Sequence, residues 1–473
     1  EDSFSLMDSK YILTQDIDCS SYTWSGVNLN SGITLDGNNY TIKGLKFSTS
    51  QAIQGFVQTN YGTIQNLFFD SITFTTDGSV STFGIIAGEN KGTIKNCTIV
   101  SGDITHSKAG VVGGIAGTNN NYGTISKCIN YANITVLEWC GGIVGRNYSG
   151  TVSNCFNYGK ISSAGNSTLP RIGGIVGGNQ GGVLNFENVR VEAANDSYVK
   201  GFSQVGGIAG QLQVEASFNN CHSNINVTAT QNFAGGIIGL APGKTTFSNC
   251  SASGNISVPN GRAGNANDLY RIGAIAGGWD DNTRNVLTLT NCSNTANLYG
   301  KSADGITATA FDCDGFVGRG YSTVVGAKVS VNGVIFEYKG DGVYEADGKV
   351  VVNKGDALVY ALENKMDVYF ANDIKIDPAS MSNAYGKTGV LVYNGQTIDG
   401  NGFKLDVKGA GGTWDSGICT SGGLIKDLWV TGGFRGIFVK GADYIEKVVL
   451  ENVRVEGTTY TISIDQASGQ GLE

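Results

Sequence analysis

The sequence predicts an all-β protein, a right-handed parallel β-helix with three short strands per coil. Three observations carry this. One phrase of glycine, aliphatic residues, asparagine and cysteine is rewritten along the chain. Glycine is abundant while proline is scarce, with 71 Gly and 4 Pro in 473 residues. No stretch within the phrase has a helical period long enough for a βαβ crossover.

The phrase is plainest at 141–155, GGIVGRNYSGTVSNC, and earlier versions stand at 83–97 and 113–128. Its box closes on Gly88, Gly117, Gly145, Gly177, Gly210, Gly239, Gly277 and Gly318. The steps vary, but the order inside each unit does not. A variable loop follows the box, then a short strand such as GTIK or GTVS, then Asn-Cys. These pairs are Asn96-Cys97, Asn154-Cys155, Asn220-Cys221, Asn249-Cys250 and Asn291-Cys292, with Lys127-Cys128 and Asn188-Val189 as variants. Six residues after the cysteine an aliphatic returns, at Ile134, Ile161, Val227, Ile256 and Leu298; after Cys97 the match slips by one, to Ile104. Short strands separated by turns bury no face alone, whereas stacked copies do. Leucine-rich repeats and propellers would need patterns that are missing.

Each part of the phrase has a predicted use. The glycines allow close backbone approach at a corner. A bend at Asn154 resets the side-chain alternation and turns Cys155 inward. Free cysteine packs as a small hydrophobe, and strands about 4.8 Å apart hold stacked thiols too far apart for a disulfide. Cys97, Cys128, Cys155, Cys221, Cys250 and Cys292 are therefore expected as a reduced, buried ladder. Cys19, Cys140, Cys313 and Cys419 lie off it. The segments 166–170 and 258–271 are expected as loop outgrowths.

Residues 1–340 form the first expected domain. Residues 341–473 form a second β-helix section, incomplete at its end. It follows hairpins within 334–352 and a capping helix near 354–365, where Leu358, Ala361 and Leu362 have helical spacing. Its coils are expected at 424–430, 436–440 and 448–457. TLDGNNYTI at 34–42 and TIDGNGFKL at 397–405 repeat one another in type, and Asp36 and Asp399 in them read as turn formers.

The composition narrows function. Net charge is −8, charged residues make up 15%, and no basic run exists, which argues against nucleic acid. No apolar run reaches 18 residues, so no transmembrane segment is expected. The chain starts at Glu1, which suggests an export signal already removed. No CxxC pair occurs, so no zinc or redox site is expected, and no cofactor or metal is implied.

The stretch from Tyr11 to Leu45, followed by GGIAG…YGTISKC and GGIVG…SGTVSNCFNYGKI, resembles bacterial surface proteins with GLUG-motif repeats. More broadly it resembles the pectin-lyase-like β-helix superfamily. The resemblance covers about residues 11–320, with a superfamily-level likeness over 368–473. It implies a secreted or cell-surface protein, with the repeats serving as stalk or adhesive region.

An enzyme of this superfamily, a polysaccharide lyase or glycoside hydrolase, needs catalytic residues. His106 and His222 do not lie between glycines and read as exposed turn residues. Arg171 and Arg271 precede matching boxes but lack an acidic cluster beside them, and read as solvated loop-edge arginines. Asp280 with Asp281, and Asp312 with Asp314, are the best carboxylate pairs, with Trp279 near enough to stack on a sugar. The balance favours a non-catalytic, adhesin-like module that binds polysaccharide, cell-surface glycan or protein. The alternatives are the enzyme and a passive stalk. Tyr131 and Tyr158, three positions past their cysteines on successive coils, are the expected sugar platform, with Asn130 and Asn157 as amide partners. Trp24, Trp139 and Trp414 are further exposed-aromatic candidates, and Trp429 is expected in the core. A monomer is expected.

Overall fold

The computed structural model describes residues 9–465 except 77–79, 109, 121, 164–169, 194–195, 243, 262–270, 281–286, 303–306, 309–316, 319–327, 332–333, 341–342, 347, 353–354, 371–372, 377–388, 408–414, 441–446 and 457. It is all-β, with parallel sheets stacked as a β-solenoid, and right-handed winding is consistent with it. Two compact units are present: one holds Glu1–Thr307 with Gly315–Ser322 and Ser330–Gly333, the other Val334–Glu473 with Ala308–Asp314 and Thr323–Val329.

In the first unit each phrase makes one turn. A representative coil runs through Thr93–Lys95, Thr98–Ile99, Gly102–His106, Val111–Gly113 and Ala116–Asn119. These strands enter four sheets in succession. The third sheet is visited twice per coil, by Gly102–His106 and Val111–Gly113, so the cross-section has five short strands rather than three. Two-residue corners hide between residues of β character, which is why the finer division escapes the sequence.

Register is kept residue for residue. Ile64, Ile94, Ile125, Val152, Phe186, Phe218, Phe247 and Leu289 follow one another up the first sheet. All are buried. The phenylalanine rings stack at 4.7 and 4.9 Å, close to the strand spacing itself. In the third sheet, Ile104 pairs with Ile134, and the aliphatic column continues through Ile161, Val199, Val227, Ile256 and Leu298. The one-residue slip after Cys97 is absorbed before the strand Gly102–His106 begins.

The box glycines follow from a re-entrant corner, where the fourth sheet folds back onto the third sheet of the preceding coil. A Cβ on Gly145 would lie 2.7 Å from both Val111 Cγ1 and Val112 O. No side chain fits there, so the phrase repeats its glycine.

The second unit is simpler. Antiparallel hairpins join Val334–Gly340, Val343–Ala346 and Lys349–Val352. The helix Gly355–Glu363 comes next and buries Ala357, Leu358, Ala361 and Leu362. That face joins a cluster with Val352, Val368, Ile374, Ile376 and Val390, capping the first coil of the unit. Each later coil has three strands, as in Val368–Phe370, Ile374–Ile376 and Val390–Val392, and each of these positions is repeated in register by the succeeding coils.

Candidate functional site

The corners decide which side chains reach the surface. Asn66, Asn96, Asn154, Asn188, Asn220, Asn249 and Asn291 all adopt left-handed backbone, with φ between 51° and 54°, and Lys127 takes the same place at 55°. Asn tolerates this region better than most residues. The bend turns the next residue inward. Cys97, Cys128, Cys155, Cys221, Cys250 and Cys292 are buried thiols. Each thiol donates to the carbonyl two residues earlier, at 3.2–3.6 Å. Burial pushes the thiols of Cys97, Cys140 and Cys155 well above the ordinary range, so they stay protonated. Cys419 is also a buried thiol, Cys19 is a half-buried one, and Cys313 lies outside the described residues. The corner amides chain outside the thiols, as Asn96 to Asn66 at 2.6 Å and Asn220 to Asn188 at 2.6 Å.

A second amide ladder has no counterpart in the expectations. Two residues after the closing glycine, Asn90, Asn119 and Asn147 point inward and are buried, and Asn60 holds the matching place one coil earlier. Asn60 donates to Asn90 at 2.8 Å, Asn90 to Asn119 at 2.8 Å, and Asn119 to Asn147 at 3.2 Å. Its signal is the asparagine closing AGEN, AGTN, VGRN and VGGN. Trp279 belongs to this inward column, through its register pairing with Ala241. It is fully buried, so it stacks on no sugar, contrary to expectation.

Other expectations need correction. Tyr131 and Tyr158 do stack, with centroids 4.8 Å apart and planes 9° apart. Tyr131 is 44% exposed. Burial, then Tyr131 and Glu192, raise the Tyr158 phenol. Asn130 and Asn157 beside them are buried, however. Asn130 donates to Ala132 O and to Asn157 Oδ1, and Asn157 to Gly159 O. Their amides are engaged inside the coil and offer a ligand nothing. His106 is 1% exposed rather than solvated, with its ring nitrogens 2.6 Å from Val80 O and 2.9 Å from Lys108 O. His222 is half-buried, 2.7 Å from Ser251 Oγ and 2.8 Å from Asn220 Oδ1, and burial lowers its pKa. Arg171 is 8% exposed rather than solvated. Arg271 is half-buried, lies over Phe233 and donates to Asn232. Trp24 is half-buried, stacks on Phe56 and donates its Nε1 to Phe56 O. Trp429 lies half-buried under Lys404 and Arg454 rather than in the core. Asp36 is more than a turn former. It caps Asn38 N, accepts from Gln65 and Asn66, and pairs with Lys10, which together hold its carboxyl well below the usual range.

Asp281, Asp312, Asp314 and Trp414 lie outside the described residues, and so does the side chain of Asp280. Among the described residues, no group of three or more His, Cys, Asp or Glu is placed to hold a metal ion, and no helix is long and apolar enough to cross a membrane.

The surface feature that the sequence did not reveal lies at the corner after the fourth sheet. Tyr61, Lys91, Asn120 and Tyr148 each follow an inward asparagine, so successive coils carry them into one column. With Tyr122, which is 93% exposed, they line a shallow cleft of about 480 Å³. Lys91 lies over the Tyr61 ring at 5.2 Å and pairs with Glu89 at 2.8 Å. Asn120 donates to Glu89 at 2.7 Å. Tyr148 OH accepts from Arg146 at 2.7 Å. Aromatic faces thus alternate with polar groups whose positions are already fixed. The column spans residues 61 to 148, too far apart for ordinary motif reading; only the coil register brings them together.

Fold and surface together define a parallel β-solenoid protein with an aromatic cleft on one corner. No family model matches the chain, and no curated protein matches it. A weak structural neighbour is a crystal structure described as "a putative immunoglobulin A1 protease from Bacteroides ovatus". It has 19% sequence identity and a TM-score of 0.35, and the match covers 66% of this chain and 77% of that one.

Proposed function

We propose that the first unit is a glycan-binding module of an exported, surface-associated protein, acting as an adhesin rather than a catalyst. The supporting observation is the cleft of Tyr61, Lys91, Asn120, Tyr122 and Tyr148. Tyrosine supplies a flat apolar face and a hydroxyl at little entropic cost. Lysine, asparagine and phenol groups supply the directional hydrogen bonds that sugar hydroxyls need. The stacked Tyr131–Tyr158 pair offers a second platform on another corner, binding by ring face alone. Placement outside the cell rests on the repeat resemblance.

The test is a glycan array with the whole chain, run beside a cleavage assay on a polysaccharide panel. The reading expects selective binding, lost in Tyr61→Ala and Tyr148→Ala and weakened less by Tyr131→Ala. Cleavage of any polysaccharide would replace it with the enzyme reading. Silence in both assays would leave the stalk.

A further inference from the structure

Beside the tyrosine cleft lies an arrangement of cations that the cleft does not require. Trp139 and Arg171 are register neighbours on successive coils of the third sheet. Arg146 comes from the fourth sheet, where it pairs with Gly178. The Arg146 guanidinium lies 4.1 Å from the Trp139 ring centroid, and that of Arg171 lies 4.0 Å from it. Gly178 makes the room: a Cβ there would stand 2.9 Å from Arg171 Cδ and 3.1 Å from Trp139 Cζ3.

Two cations against one ring repel, and a protein ordinarily supplies a carboxylate between them. Here, among the described residues, no carboxylate lies within ion-pair distance of either. Glu138 precedes Trp139 and pairs with neither, while Glu89 is held by Lys91 and Asn120. Arg146 uses Nη1 on Tyr148 OH and Gln180 Oε1, but its Nε is buried without a partner. Arg171 is over nine-tenths buried, and its Nε is also without a partner. Burial, and then Arg146, push the Arg171 pKa down to about 10. Nearby on neighbouring coils, the buried Thr118 Oγ1, Gln204 Oε1 and Gln211 Oε1 also lack partners. Five of the eight buried side-chain atoms without partners among the described residues fall in this one region. Unpaired buried polar groups are destabilising unless a ligand or water completes them.

We propose that Arg146 and Arg171, set against Trp139, form an oxyanion subsite that takes the carboxylate or sulfate group of an acidic saccharide whose other rings lie in the tyrosine cleft. Guanidinium is suited to this, because its planar fork matches an oxyanion and its face stacks on an aromatic ring. A bound anion satisfies the free Nε groups and relieves the repulsion between the two arginines. Tyr148, held by Arg146, joins the subsite to the cleft. The saccharide part of this inference rests on the glycan-binding reading; the oxyanion part does not.

The experiment uses the whole chain and two readouts. Calorimetric titration compares a uronate-containing oligosaccharide, a sulfated one and a neutral one of equal length. Thermal unfolding is followed with inorganic sulfate, at matched ionic strength in chloride. Variants are Arg171→Gln and the less buried Arg146→Gln, so that misfolding of the first leaves the second to decide. The expected result is about tenfold tighter binding of an acidic oligosaccharide than of the neutral one. Either variant abolishes that preference, so that acidic and neutral probes then bind within about twofold of one another. Whichever acidic probe binds tighter identifies the group. Equal binding of acidic and neutral probes, unchanged by either variant, overturns the subsite and leaves the glycan reading intact. Sulfate stabilisation lost in both variants, with no saccharide bound, keeps the subsite and overturns the glycan reading. Absence of both sulfate stabilisation and an acidic preference overturns the subsite.

Discussion

The two units wind in the same way but are held differently. In the first, a typical coil has five strands, a re-entrant glycine corner, a thiol column and a buried amide ladder. In the second, coils have three strands and an aliphatic core under a helix. The left-handed corner survives in both: Asn401, Asp427 and Asn452 have φ of 49°, 48° and 50°, and Asn452 donates to Asp427 at 2.8 Å. The residue after the corner differs. Leu428 and Val453 stand where the first unit places cysteine. The asparagine bend is therefore the shared winding device, and the thiol is one filler among several. The re-entrant corner is the real distinction, because it brings side chains of the third and fourth sheets together and so creates the arginine–tryptophan cluster.

The largest effect expected from this contrast is at the glycines. Gly145→Ala forces a Cβ against the backbone of the preceding coil and should destabilise by about 3 kcal/mol or more. Gly395→Ala in the second unit has nothing within 4 Å, and only its φ of 78° opposes it, so about 1 kcal/mol is expected. Urea unfolding of the two variants measures the difference; equal losses would deny the special corner.

Next come the amides. Asn119→Ala removes a buried link and leaves the Asn90 and Asn147 side chains short of a partner, a loss of roughly 2–3 kcal/mol. Asn452→Gly, which keeps the left-handed backbone, breaks only an exposed link and should lose under about 1 kcal/mol. The same unfolding experiment ranks them.

Thiol columns should matter less. Cys155→Val should change stability by no more than about 1 kcal/mol, because Val189 already fills the corresponding place. Cys155→Ser, a buried hydroxyl, should be the worse variant. An aromatic disulfide reagent should leave the ladder thiols unmodified until denaturant is added.

A last effect is confined to acid. Asp36 has a lowered folded pKa, so its contribution is complete above the ordinary carboxylate value near 3.8 and is lost as pH falls through the folded value. Asp36→Asn should flatten the acid limb of a stability–pH curve by roughly 1–2 kcal/mol. An unchanged limb would contradict the network around Asp36.

Much of this fold was legible because register in a stacked coil makes local signals repeat. Asn-Cys, the glycine box and the returning aliphatic each appear many times, and each has one geometric meaning. The misreadings came from single residues. Trp279 resembled a surface aromatic because it stands beside Asp280 and Asp281, and only the register places it in the inward column. Arg171 resembled a loop residue because nothing local shows that Trp139 lies one coil below it. The tyrosine cleft draws on residues from 61 to 148 and exists only once the coils are stacked. Repeated elements reveal the scaffold, while function sits in the departures from repetition, which need the register before they can be read.

The register itself is open to one direct measurement. Lys95 and Asn219 occupy equivalent exposed positions four coils apart in the first sheet. In a Cys19→Ser, Cys313→Ser background, spin labels on Lys95→Cys and Asn219→Cys report their separation by pulsed dipolar spectroscopy. Four strand spacings predict a backbone separation of about 19 Å with a narrow distribution. A separation beyond about 30 Å, or a broad spread, would contradict one coil per repeat.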